Sequence, residues 1–263
     1  MKFSIILLTI VIFVSAVLAE NKTLNLMPVP QEYSLQNGKY RLTDKFTISV
    51  SGDPDNRIYG GASRVLHRLA GRTGMFFIQV YISAEQNPDS GHLNINVNRP
   101  GKLVLHEDES YELIITREKI SLQAETDIGA LRGLETFLQL LDVDPDGYFF
   151  PLITVKDKPR FPWRGLMIDA CRHFIPVEVV KRNLDGMAAV KLNVMHWHLS
   201  EDQGFRVESK TFPKLHEMGS DGYYYTQEQI KEVINYAAEA CKYDIATGRI
   251  ASKTSWQNWT RSP

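Results

Sequence analysis

The sequence predicts an α/β protein in which a small α+β domain, read as an antiparallel sheet with two helices, precedes the start of a parallel (β/α)8 barrel. Three observations carry that prediction. Before Lys158 the apolar runs are short, β-branched and aromatic, and are bounded by Gly, Pro, Asn and Asp. After Pro162 the pattern becomes strand, helix, strand, helix, the rhythm of a parallel sheet with outer helices. Between them, Val155 to Pro162 holds two prolines and little periodicity, which places a boundary at Lys158.

In chain order, residues 1–19 carry one cation, Lys2, then an apolar run from Ile5 to Leu18 and small residues at Val17 and Ala19. That is the pattern of a secretory leader cut before Glu20, and the run is shorter than the roughly 20 residues a spanning helix needs. The expected destination is the secretory route: extracellular, lysosomal or periplasmic. Residues 20–158 form the first domain. Phe46–Val50, Met75–Ile82, Leu93–Val97, Tyr111–Thr116 and Ile120–Ala124 read as strands, the last two as a hairpin across Arg117-Glu118-Lys119. Ile58, Ala62, Val65, Leu66 and Leu69 fall at helical spacing, as do Ile128, Leu131, Leu134, Phe137, Leu138 and Leu141.

Residues 159–243 carry the barrel start. Gly165 to Ile168 is a continuous apolar run, expected of a strand buried on both faces. Pro176 opens a helix with the stripe Val177, Val180, Leu184, Met187, and Leu192 to His196 is the next strand. Thr226 and Gln229 make a capping box before Ile230, Val233, Ile234, Ala237 and Ala238. Residues 244–263 read as an irregular tail, with Tyr243 to Thr247 a weak candidate for a third strand, so the second strand is expected to leave a parallel edge unpaired.

A content of 43% hydrophobic residues supports a packed core, and 30 Lys and Arg against 31 Asp and Glu leave no basic stripe for a phosphate backbone. Nucleic acid is therefore not an expected partner, and no span follows the leader. The two cysteines, Cys171 and Cys241, are too few for a disulfide framework and read as packing residues. Asn21 and Asn258 match the glycosylation acceptor pattern. No cofactor motif is present.

Loops at the carboxyl ends of parallel strands line ligand sites, which singles out Asp169, Arg172, His198, Glu201 and Asp202. From spacing alone, an ion pair between Arg172 and Asp169 is the simpler reading. His196 and His198 share a strand face and with Glu201 or Asp202 imitate a hydrolytic zinc site, but histidines beside Trp197 are more often satisfied core groups, so no metal is expected.

Four segments change that weighing: Leu26-Met27-Pro28-Val29-Pro30, Gly133 to Leu140, Asp169-Ala170-Cys171-Arg172-His173, and His196 to Phe205. Together they resemble glycoside hydrolase family 20, the β-N-acetylhexosaminidases, in its amino-terminal portion, over residues 24 to 240. The resemblance implies that Arg172 holds hydroxyls of a terminal N-acetylglucosamine or N-acetylgalactosamine of glycans or chitin fragments. It implies that Glu201, with Asp202 and His198, belongs to a supporting polar relay; Glu201 stands where many members have Asp. It implies a retaining reaction in which the substrate's acetamido oxygen attacks the anomeric carbon, aided by an Asp-Glu pair. No Asp-Glu dipeptide follows Arg164, so no catalytic residue is identified and the chain alone is expected to be inactive. A non-catalytic glycan-binding variant and a metal-dependent hydrolase are the alternatives.

Overall fold

The computed structural model describes residues 24–240 and 244–247, the last four and residues 239–240 by their backbone alone. The leader, Asn21, Cys241, Asn258 and residues 248–263 of the expected tail lie outside them.

Seven strands form the first sheet: β1 (Glu32–Arg41), β2 (Ile48–Gly52), β3 (Leu93–Arg99), β4 (Tyr111–Ile115), β5 (Ile120–Thr126), β6 (Asp142–Asp144) and β7 (Gly147–Asp157). Their order is β1-β7-β4-β5-β3-β2, with β6 on β7. The sheet is mixed rather than antiparallel, because β2 and β3 and then β3 and β5 run parallel. The helix α1 (Arg57–Thr73) and the segment up to Leu93 supply the crossover a parallel pair needs. The helix α2 (Asp127–Gln139) packs beside α1 and on β5. Its start is set by Thr126, whose hydroxyl accepts from the Gly129 N–H at 3.1 Å. Gly129 and Gly133 let α2 sit close, since a Cβ on either would lie 2.3 Å from Ser110 O or 2.4 Å from Leu122 Cδ1. Phe137 then stacks between Phe150 at 4.3 Å and Phe46 at 6.0 Å, pairs that add about 0.5–1.5 kcal/mol each beyond burial.

One expectation fails here for an identifiable reason. Met75–Ile82 forms no strand. The edge of β2 is occupied by side-chain amides instead: Gln79 accepts from Ile48 N at 2.6 Å and donates to Ile48 O at 3.1 Å. Asn87 does the same for Val50, at 2.9 and 2.7 Å. A side-chain amide satisfies a strand edge without propagating the ladder. The long strands β1 and β7 escaped the sequence reading because β1 is polar and β7 contains Pro151. The register shift in β1 between Gln36 and Lys39 falls where β7 reaches Pro151, which has no N–H to give.

The second sheet is parallel: β8 (Gly165–Asp169), β9 (Val194–His198) and β12 (Asp244–Thr247), in the order β12-β9-β8. The tail expected from residue 244 thus begins with a strand, and β9 has neighbours on both sides. A hairpin of β10 (Ser200–Glu201) and β11 (Gly204–Phe205) follows β9. The helices are α3 (Val177–Ala189), the short α4 (Lys214–Gly219) and α5 (Gln227–Ala240). Val180, Leu184 and Met187 of α3 meet Ile230, Val233 and Ala237 of α5 in a core with Met195 and Trp197. The capping box forms: Gln229 accepts from Thr226 N at 2.9 Å, and Thr226 Oγ1 accepts from Gln229 N at 3.2 Å. The strand β8 is not buried on both faces, since Met167 is 59% exposed beside His196 on the face away from the helices. No helix among the described residues is long and apolar enough to cross a membrane.

The two cores meet through buried charge. The Glu109 carboxylate accepts from Arg132 Nε of α2 at 2.7 Å and from Arg164 Nη2, at the entry to β8, at 2.6 Å. Lys191, between α3 and β9, sends its ammonium to Thr136, Tyr111 and Asp157 of the first core at 2.6, 2.8 and 3.2 Å. Away from this junction, the Arg99 hydrogen bond to Glu107 lowers that carboxyl from 4.5 to about 2, helped by the backbone N–H groups of Lys102 and Asp108. A depressed acid stabilises the fold above its unfolded value, and the effect is lost as pH falls from 4.5 towards 2. Glu107→Gln is therefore expected to flatten melting temperature against pH across that window, and an unchanged slope would contradict the assignment.

Candidate functional site

The sheet register builds the site. Asp169 closes β8 directly opposite His198 at the end of β9, so side chains about 30 residues apart in sequence arrive together. Asp169 Oδ1 accepts from the backbone N–H groups of Cys171 and Arg172 at 3.0 and 3.2 Å, a turn that swings Arg172 back over its own strand end. Arg172 Nη1 then donates to Asp169 Oδ2 at 2.5 Å, and Nη2 lies 3.7 Å from Glu201 Oε1. The other oxygen of Glu201 is 2.8 Å from His198 Nε2. Arg172, Asp169, His198 and Glu201 are thus one hydrogen-bonded and ion-paired set, and the exposed Asp202 acts on Arg172 through its charge. Arg172's hydrogen bond holds the Asp169 carboxyl below its ordinary value. The ion pair expected from spacing is present: Arg172 pairs with Asp169 and still leaves 53% of its side chain open to solvent.

Supporting residues were not visible in the sequence. Arg206 is buried and its donors go to main-chain carbonyls: Cys171 O at 3.2 Å from Nε and 3.0 Å from Nη2, Tyr223 O at 3.2 Å, and Ser220 O. It ties the loop carrying Arg172 to the loops before α5. Gly204 makes room, since a Cβ there would stand 2.9 Å from Arg206 Nε and 3.1 Å from Cys171 O. Beneath them Trp197 meets Tyr225 edge to face at 4.4 Å.

The zinc set imagined from His196, His198 and an acid is not assembled. The His196 and His198 rings stand 5.9 Å apart, and His196 Nε2 is buried with no hydrogen-bond partner, so it is not a satisfied core histidine either. Among the described residues, the ligand atoms within 4.8 Å of one another belong to Asp169, Cys171 and His198. Burial, with Asp169 adding to it, pushes the Cys171 thiol up to about 11. A groove of about 560 Å³ lies elsewhere, on the polar outer face of the first sheet among Asn96, Glu112, Gln123 and Lys156.

An exposed, carboxylate-oriented guanidinium at the carboxyl ends of parallel strands stands where α/β sheets place their ligands. The chain belongs to glycosyl hydrolase family 20: the profile of that family's catalytic domain matches residues 161–241, and a β-acetyl hexosaminidase-like profile matches residues 26–140. It is 32% identical over 235 residues to a β-hexosaminidase of Porphyromonas gingivalis, covering 83% of this chain and 29% of that one. The α subunit of bovine β-hexosaminidase is 48% identical over 133 residues, 49% of this chain and 25% of the subunit. Among solved structures, the chitobiase of Flavobacterium johnsoniae superposes with a TM-score of 0.83 at 52% identity, over 85% of this chain and 34% of that chain. The exo-β-N-acetylglucosaminidase of Vibrio harveyi, solved with N-acetylglucosamine, gives 0.70 at 28% identity, over 84% and 35%. The chain therefore spans about a third or less of the length of these relatives.

Proposed function

We propose that this chain supplies the hydroxyl-holding part of a β-N-acetylhexosaminidase site, with a terminal N-acetylhexosamine of a glycan or chitin oligosaccharide as its ligand. The observation that carries the reading is the exposed Arg172 guanidinium, oriented by Asp169 and Glu201 where two parallel strands end. In this reading β8, β9 and β12 are the opening strands of a (β/α)8 barrel, and the His198–Glu201 pair belongs to the relay behind the catalytic acid. The complete reaction is retaining and substrate-assisted: the acetamido oxygen attacks the anomeric carbon, one acid steadies the acetamido group, and its neighbour protonates the leaving oxygen. No Asp-Glu dipeptide follows Arg164 in these 263 residues, so the chain alone binds the sugar without hydrolysing it. The leader-like residues 1–19 assign it to the secretory route.

Purified chain is expected to bind N-acetylglucosamine in an NMR titration and to leave an aryl N-acetyl-β-glucosaminide intact. Arg172→Ala removes charge-assisted hydrogen bonds of about 1.5–3 kcal/mol each, so affinity should fall at least about tenfold. The melting temperature should hardly move, because an exposed ion pair contributes about 0–1 kcal/mol. Turnover by the isolated chain, or equal losses of affinity and stability in the variant, would overturn the reading.

A further inference from the structure

We propose that Asp169, Cys171 and His198 form a binding site for a thiophilic divalent cation of the zinc and cadmium type, and that its occupation takes Asp169 away from Arg172. The three side chains offer a carboxylate oxygen, a sulfur and an imidazole nitrogen within 4.8 Å of one another. Only a modest inward movement separates that spacing from a tetrahedral metal shell, in which bonds of about 2.0–2.3 Å hold the ligands. The donor set selects the ion: sulfur and imidazole favour zinc-like metals, whereas magnesium and calcium require oxygen shells. The surroundings resemble those of a metal-binding histidine, because Glu201 holds His198 Nε2 at 2.8 Å and so fixes the ring, as outer carboxylates do for metal-ligating imidazoles. Sequence position contributes as well, since the turn that brings Cys171 N to Asp169 Oδ1 places both side chains at the same strand end.

Binding forms one bond each from the metal to sulfur, nitrogen and oxygen. The thiol proton leaves to solvent and the metal sheds hydration water, keeping one water in the open fourth position. The Cys171 thiol gives up its 3.6 Å contact to His198 O. A metal bound to the Asp169 carboxylate would neutralise the charge that now holds Arg172 Nη1 at 2.5 Å, so the guanidinium loses its orienting partner. The site is therefore an inhibitory one: metal and sugar compete through Asp169. That competition rests on the proposed sugar-binding role, whereas metal binding itself does not.

The test is a cadmium titration of the full chain followed by the ultraviolet charge-transfer band of a cadmium thiolate. One equivalent should produce the band in the native chain and in Cys241→Ser, and none in Cys171→Ser. Glu201→Gln should weaken cadmium binding by about 10–100-fold, the usual effect of losing a ligand's supporting carboxylate, and His198→Gln by at least as much. Circular dichroism establishes that each variant is folded. A band that survives Cys171→Ser, or no band in the folded native chain, overturns the metal site. Saturating zinc that leaves N-acetylglucosamine affinity unchanged, in a chain that binds both, overturns the coupling alone.

Discussion

Glu109→Ala is expected to lower the free energy of unfolding by about 3–5 kcal/mol, the cost of leaving buried charge without its partner. Glu109 is 8% exposed, and one of its oxygens serves two guanidiniums, Arg132 at 2.7 Å and Arg164 at 2.6 Å. Those side chains are themselves 5% and 14% exposed, so water cannot replace the carboxylate as it would at a surface pair. The loss also reaches across the junction. Arg164 stands at the entry to β8 and donates through Nε to Lys191 O at 2.8 Å, so both links between the cores share it. Glu109→Gln keeps an acceptor but not the charge and should fall between the native chain and the alanine variant. Urea unfolding with an unchanged m-value would measure this. A loss below about 1 kcal/mol would mean that the cluster is far better hydrated than its geometry implies.

Lys191→Met is expected to cost about 3 kcal/mol, the lower end of the range for a broken buried pair, because Asp157 keeps its 2.9 Å hydrogen bond from Tyr111. Lys191 occupies a left-handed backbone conformation with φ of 60° just past Val190, the C-cap of α3, a place that glycine usually takes. Its strain is offset by three hydrogen bonds into the first core. A Lys191→Met, Asp157→Asn double variant should therefore be less destabilised than the sum of the single changes. The pH response has a definite sign. Burial lowers the Lys191 ammonium below 10.5, against the pull of Asp157. Between the lowered value and 10.5 the unfolded chain holds a proton that the folded chain does not, so this residue makes stability rise with pH there. Tyr111 is raised by the same burial and acts oppositely above its ordinary value of 10, so the comparison belongs below pH 10. The methionine variant should lack the rise; an identical alkaline slope in both chains would refute the assignment.

Neither cluster could be read from the sequence, and the reason is separation along the chain. Glu109 and Arg164 lie 55 positions apart, Tyr111 and Lys191 lie 80 apart, and no local periodicity relates them. The same holds for Arg206, which resembles a surface arginine of a polar loop until its donors are seen on the carbonyls of Cys171 and Tyr223. Arg172, His198 and Glu201 were legible because short motifs at two strand ends carry them, and register alone brings those ends together. Cys171 is buried, as the sequence suggested, yet its nearness to Asp169 and His198 needed the fold.

What the sequence determined by itself is local. Apolar stripes at helical spacing became α1, α2, α3 and α5, the capping box at Thr226 formed as written, and β-branched runs became β3, β4 and β5. Each of these rests on a period of 2 or 3.6 residues, which neighbouring side chains set without outside help. Strand direction in the first sheet, the pairing of polar β1 with β7, the irregular course of Met75–Ile82 and the buried charges between the cores were decided by tertiary structure alone. The physical reason is that a hydrogen bond or an ion pair acts over a few ångströms, and only the folded chain determines which distant residues come within that reach.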